Sequence, residues 1–227
     1  MTVASGTIGL LLAVVLCALL HVMVMAFAGR ALGVALDELS FGLGPRLLRL
    51  GKLSIRLLPV GGAVRFQTAG DTMPADDADI HPQHLEAQPL WAQLFIGASG
   101  CLALIALACA LLGGMAGVQA LAGGFTNIII GALSPLHTAQ GLLARVDGAA
   151  QGLPFSTLLG LTAATTAALN LLPLPGANGG YLLGAPGKSA GLGKHWPASV
   201  TQILLLAYVA LAASWLVAAV VYLSNGV

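Results

Sequence analysis

Four apolar stretches dominate this chain, at residues 6–29, 92–112, 155–172 and 200–223. About 20 consecutive apolar residues are enough for one helical bilayer crossing. A segment in lipid must satisfy its backbone amides internally, and a helix does so. Only 7% of the 227 residues are charged, against about a quarter in a soluble domain. The chain therefore reads as an α-helical polytopic membrane protein, a single membrane domain over residues 1–227, with about four transmembrane helices. Residues 115–133 are also apolar, but they are Gly-rich and interrupted by Asn127, with Pro135 close behind. They read as an interfacial or re-entrant segment, or as a fifth span.

Lys and Arg accumulate in cytoplasmic loops. Arg30, Arg46, Arg49, Lys52, Arg56 and Arg65 follow the first apolar stretch, and Lys188 and Lys194 follow the third. With four spans, loops 30–91 and 173–199 share a side and hold 8 of the 9 basic residues, leaving Arg145 opposite. Both loops are expected to be cytoplasmic and both termini outside. A net charge of +1 gives no sign of a nucleic-acid partner. Ala26-Phe27-Ala28 has the small residues of a signal cleavage site, but no basic residue precedes the apolar run and Arg30 follows it directly, so an uncleaved span is expected. Cys17, Cys101 and Cys109 all fall in the apolar spans, which argues against a disulfide framework.

After the first span the pattern turns from helical to extended. Leu53, Ile55 and Leu57 alternate with Ser54 and Arg56, and Pro59 with Gly61-Gly62 makes a bend before Ala63-Val64-Arg65-Phe66. This predicts a membrane-associated β-hairpin over about 52–67, with halves at 52–58 and 63–67, too short to cross a bilayer alone. An acidic, Pro-containing cytoplasmic loop follows at 68–89, with Asp71, Asp76, Asp77, Asp79 and Glu86. Within it His81, His84 and Glu86 have the look of metal ligands, but Pro82 disfavours the helix that would align them. Pro173 and Pro175 break the third apolar stretch into irregular backbone.

Several segments resemble the site-2 protease family of intramembrane zinc proteases. GVALDELSFGLGPRLLRL followed by LSIRLLPVGGAVRF is similar to the family's segment after its zinc helix. PLWAQLFIGASGCLALIA resembles its second conserved helix, with Cys101 and Leu104 where the family has proline and asparagine. ALNLLPLPGANGGYLL is similar to its Asn-x-x-Pro-x-Pro-x-x-Asp-Gly-Gly segment, matching at Asn170, Pro173, Pro175, Gly179 and Gly180. The resemblance implies a site-2 protease core-like fold without an inserted PDZ domain. It also implies a groove for a transmembrane substrate or partner, here Leu53, Ile55, Leu57, Pro59, Gly61, Gly62, Asn170, Pro173, Pro175, Gly179 and Gly180.

The family's chemistry requires a helical His-Glu-x-x-His, with two imidazoles on zinc and a glutamate base, and a distant aspartate as third ligand. The matching positions here are His21, Val22, Met25 and Asn178. Valine accepts no proton, a thioether is a poor zinc ligand, and a neutral amide does not balance the metal's charge. No catalytic residue, metal or cofactor is therefore expected, with His21 the only retained family ligand. The expected function is a pseudoprotease that binds a transmembrane partner as scaffold, regulator or complex subunit. The alternative is an active metalloendopeptidase that binds zinc through non-standard ligands. Cys17, His21 and Met25 share a helical face and suit Cu(I), but they are too spread for one ion. A buried intramembrane histidine needs a partner, and the one expected for His21 is Asn178 or the backbone around Gly179-Gly180.

Overall fold

A computed structural model describes residues 2–68, 81–189 and 198–225. Most of the acidic stretch, including Asp71, Asp76, Asp77 and Asp79, lies outside the described residues, as do Lys194 and His195. In chain order the elements are α1 (Thr2–Ala31), β1 (Leu36–Leu50), β2 (Leu53–Phe66), α2 (Leu90–Leu112), α3 (Gly114–Leu133), α4 (Thr138–Gly152), α5 (Phe155–Leu171), α6 (Asn178–Ser189) and α7 (Ala198–Ser224).

Four helices among the described residues are long and apolar enough to cross a membrane: Gly6–Ala31, Leu90–Leu112, Gly114–Leu133 and Val200–Ser224. The third of these is the stretch whose glycines suggested an interfacial segment. Glycine weakens a helix by about 1 kcal/mol per residue but does not break it, and Pro135 falls after the helix has ended. The stretch 155–172 forms instead a shorter apolar helix of 17 residues, α5, stopped by Pro173 and Pro175. It lies inside the protein, with Ala163, Ala164, Ala167 and Ala168 fully buried. Small side chains let helices approach closely where lipid provides no hydrophobic drive between them. Ala163, Ala164 and Ala167 accordingly pack with Cys17 of α1 and Leu104 and Ala108 of α2.

One end of the bundle gathers the ends of five helices. A methyl group on Gly6 would meet the Ala150 carbonyl, one on Gly9 the Leu158 side chain, one on Gly160 the Leu112 side chain, and one on Gly117 the Cys109 backbone. The start of α1, the end of α2, the beginning of α3, the end of α4 and the start of α5 therefore lie together. The pair α3–α4 leaves this end and comes back to it. The hairpin after α1 and the Pro173-Pro175 connection after α5 consequently follow helices that both run away from the end holding the start of α1.

The hairpin differs from the one its alternating sequence suggested: the two expected halves, 52–58 and 63–67, do not pair with each other but belong largely to the one strand β2, whose partner is β1, beginning at Leu36. Gly42, Gly44 and Pro45 look like strand breakers in the sequence. In the fold they bend the strand, with Gly42 at φ 95° and Gly44 at φ 88°. β1 pairs antiparallel with β2, from Leu36 opposite Phe66 to Phe41 opposite Gly62, and again from Arg46 opposite Arg56 to Leu50 opposite Leu53. Leu39, Ser40 and Phe41 have partners on both sides, Val64, Ala63 and Gly62 on one and Leu53, Ser54 and Ile55 on the other. The sheet is thus folded on itself, with residues 39–41 between the two halves of β2. Val34, Phe66 and Ile96 anchor it to α1 and α2.

Polar contacts fix α7, which otherwise faces outward. The Trp215 indole donates to the Ile128 carbonyl at 3.0 Å, the Ser214 hydroxyl to Ala132 at 2.5 Å, and the Gln140 amide to Ala218 at 3.0 Å. Interhelical hydrogen bonds in membranes average about 0.6 kcal/mol and reach about 1.7. Trp215→Phe keeps most of the ring and removes the donor, so it is expected to cost about 1 kcal/mol. A thermal melt in detergent measures it, and an unchanged midpoint would show that the bond contributes nothing.

Candidate functional site

Continuous helix in α1 carries residues 21, 22 and 25 along its inner side, facing α2, β2 and the start of α6. They line a cavity of about 800 Å³. Its other walls are Gly62 to Phe66 of β2, Ile96 and Gly97 of α2, Asn170 of α5, Pro173 and Pro175, and Asn178, Gly180 and Tyr181 of α6. His21, Val22, Met25 and Asn178 therefore meet in one place, although 153 residues separate Met25 from Asn178.

Asn178 is the hub. Its Oδ1 lies 3.2 Å from His21 Nε2, and its Nδ2 donates to the Gly97 carbonyl at 2.5 Å and to Met25 Sδ at 3.2 Å. With the amide oriented this way, Nε2 carries the imidazole proton. His21 is buried, and its Nδ1 has no hydrogen-bond partner among the described residues. A methyl on Gly100 would sit 2.6 Å from that nitrogen and 2.7 Å from the His21 carbonyl. The α2 backbone can pass His21 only because residue 100 has no side chain. Gly97 plays the same part for the Tyr181 ring, which a methyl there would meet at 2.7 Å. Val22 faces Gly62, where a methyl would stand 2.8 Å from its Cγ2 and 2.6 Å from the Ser40 carbonyl.

The α5–α6 connection sets Asn178 in place. Leu172 and Leu174 pack with Ile128 and Ala168, and the chain then turns so that Asn178 begins α6. Gly179 and Gly180 lie directly against the carbonyls of Leu171, Leu172 and Leu174.

Of the groove residues, Gly62, Asn170, Pro173, Pro175 and Gly180 line the cavity. Gly179 supports it from behind, and Gly61 sits at φ 77° in the strand bend. Leu53, Ile55 and Leu57 are not part of the lining, because residues 39–41 of β1 lie between that half of β2 and the half that faces the cavity. Pro59 belongs to β2 and its side chain lies outside the described residues. The sequence reading missed Gly97, Gly100 and Tyr181, whose only signal was the three-residue spacing of the two glycines. His84 is buried and accepts the His81 amide at 3.2 Å through Nδ1, a structural role in the connection to α2. The Cys17 thiol points to the Leu159 carbonyl of α5, so it does not join Met25 around a common ion.

A polytopic helical core, a hairpin beside its first helix and a broken helix bringing a Gly-Gly turn opposite that helix together define an intramembrane protease scaffold. The chain belongs to peptidase family M50, the site-2 protease family, whose sequence profile matches residues 9–215. No curated protein matches the chain. The family's members are zinc metalloproteases, and the side chains here do not fit that ion. One imidazole, a thioether and a neutral amide converge, and no group of three or more His, Cys, Asp or Glu occurs among the described residues.

Proposed function

We propose that the chain is a non-catalytic member of its family that holds a transmembrane partner segment in the cavity between α1, β2 and α6. The observation that carries this reading is the Asn178 hub. The groups at three motif positions are engaged with one another, and Val22, at the position of the general base, offers no proton acceptor. Binding does not need what was lost. An extended segment can pair with strand backbone and place side chains in flanking pockets, and residues 62–66 of β2 form the cavity wall. Loops 30–91 and 173–199 are read as cytoplasmic and the termini as outside, supported by the basic residues in these loops and by the bundle end that the helix starts share.

Elemental analysis of the purified chain, together with a photo-crosslinker at Ala63, tests the proposal. The expected result is no stoichiometric zinc and an intact membrane protein crosslinked at Ala63. Stoichiometric zinc that disappears in His21→Ala, with cleavage of a captured segment, would support instead an active enzyme with non-standard ligands.

A further inference from the structure

A second cavity, of about 340 Å³, lies between the end of α1 and the hairpin, away from the Asn178 hub. It is lined by Arg30, residues 33–36, Lys52 and Gln83, and no acidic residue is among them. The last carbonyls of α1 do not dominate its field, because Ala28, Gly29 and Arg30 accept from the amides of Leu32, Val34 and Gly33. The charges facing the space are two cations. Lys52 donates to the Leu36 carbonyl at 2.5 Å across the cleft, which uses one of its three protons. The ion pairs among the described residues involve Arg65 with Asp37 and Glu38, and neither Arg30 nor Lys52.

The adjoining strands have matching chemistry. Residues 43–58 carry Arg46, Arg49, Lys52 and Arg56 and no Asp or Glu. Arg46 stands opposite Arg56 in the register, a like-charge pair that is unfavourable by itself and that the single Glu38 carboxylate, shared with Arg65, offsets only in part. Leu43, Leu47, Leu48, Leu50, Leu57 and Leu58 are each about half exposed or more. Such a surface is unsuited to water, and the open edge of residues 46–50 cannot enter the hydrocarbon core with its amides unpaired. The layer that satisfies both is the headgroup region of a leaflet, with leucines toward the acyl chains and cations toward phosphate.

We propose that the cleft between α1 and the hairpin binds the phosphate of an anionic phospholipid through Arg30 and Lys52, seating the outer hairpin in the headgroup layer. The full chain is placed in nanodiscs of equal phosphatidylcholine and phosphatidylglycerol, and lipid retained after detergent extraction is identified by native mass spectrometry. Each cation near an anionic surface contributes about a five-fold factor, so a preference of about twenty-five-fold for phosphatidylglycerol is expected. Arg30→Gln/Lys52→Gln should bring the ratio close to equal, while Arg30→Lys/Lys52→Arg should keep it, which separates loss of charge from loss of folding. Equal retention of both lipids by the unaltered chain, or a preference unchanged in the glutamine variant, would overturn the proposal. So would stoichiometric disulfide dimers of Leu48→Cys in the bilayer, since a second copy would then cover the strand.

Discussion

Met25→His/Asn178→Asp is expected to convert the chain into a zinc protein, with about one ion per molecule. Ligands roughly 2.0 Å from zinc at tetrahedral angles stand about 3.3 Å apart. His21 Nε2 and Asn178 Oδ1 are 3.2 Å apart, and Asn178 Nδ2 and Met25 Sδ are also 3.2 Å apart. The two substitutions place an imidazole and a carboxylate at positions that already meet at ligand spacing, and leave the fourth coordination site to water. Elemental analysis after dialysis against trace zinc gives the stoichiometry, and a melting temperature that rises with zinc gives the linkage. A double variant that folds but stays free of zinc would mean that the scaffold has drifted from the family's geometry. His21→Ala added to the pair should remove the ion again.

Gly179→Ala is expected to be among the most damaging single methyls at the glycines of the described residues. The new carbon would lie 2.2 Å from the Leu171 carbonyl oxygen and 2.4 Å from that of Leu172. Both obstacles are backbone, so no side chain can rotate aside, and α6 must move away from α5. Overpacking usually costs about 1–3 kcal/mol and occasionally more. Two fixed backbone obstacles place this substitution at or above about 3 kcal/mol. Gly184→Ala, in the same helix, has nothing within 4 Å of the new methyl. It is expected to leave stability unchanged or raise it by about 0.5–1 kcal/mol. Thermal melts of the two variants in one detergent give the comparison, and equal midpoints would contradict the packing described for the Gly-Gly turn.

Much of the site could be read from the residues themselves. An isolated intramembrane histidine needs a partner, and Asn178 or the backbone around Gly179-Gly180 was expected to supply it. The hydrogen bond is present at 3.2 Å. What stayed hidden was set by tertiary fit. Gly97 and Gly100 look like ordinary small residues of an apolar helix, and only the ring of Tyr181 and the imidazole of His21 show why neither can carry a methyl. β1 stayed hidden because Gly42, Gly44 and Pro45 interrupt the period-two pattern, while residues 39–41 owe their place to two separate stretches of β2, Leu53 to Ile55 and Gly62 to Val64. The helical character of α3 was obscured by its glycines, which weaken intrinsic propensity but are accommodated by close contacts with α2 and α5.

The return of α3–α4 to the end of the bundle from which it started has a consequence for biosynthesis. Whatever depth the pair reaches, the ribosome delivers α5 into the membrane from the same side as if residues 114–152 had never been made. The excursion is neutral to the orientation of everything downstream. Loops grafted between α3 and α4 leave Asn178 free to find His21, because the part of α3 that packs against the α5–α6 connection, Ile128 against Leu172 and Leu174, stays in place. An odd insertion of one additional crossing would carry the Gly-Gly turn to the wrong face and separate them.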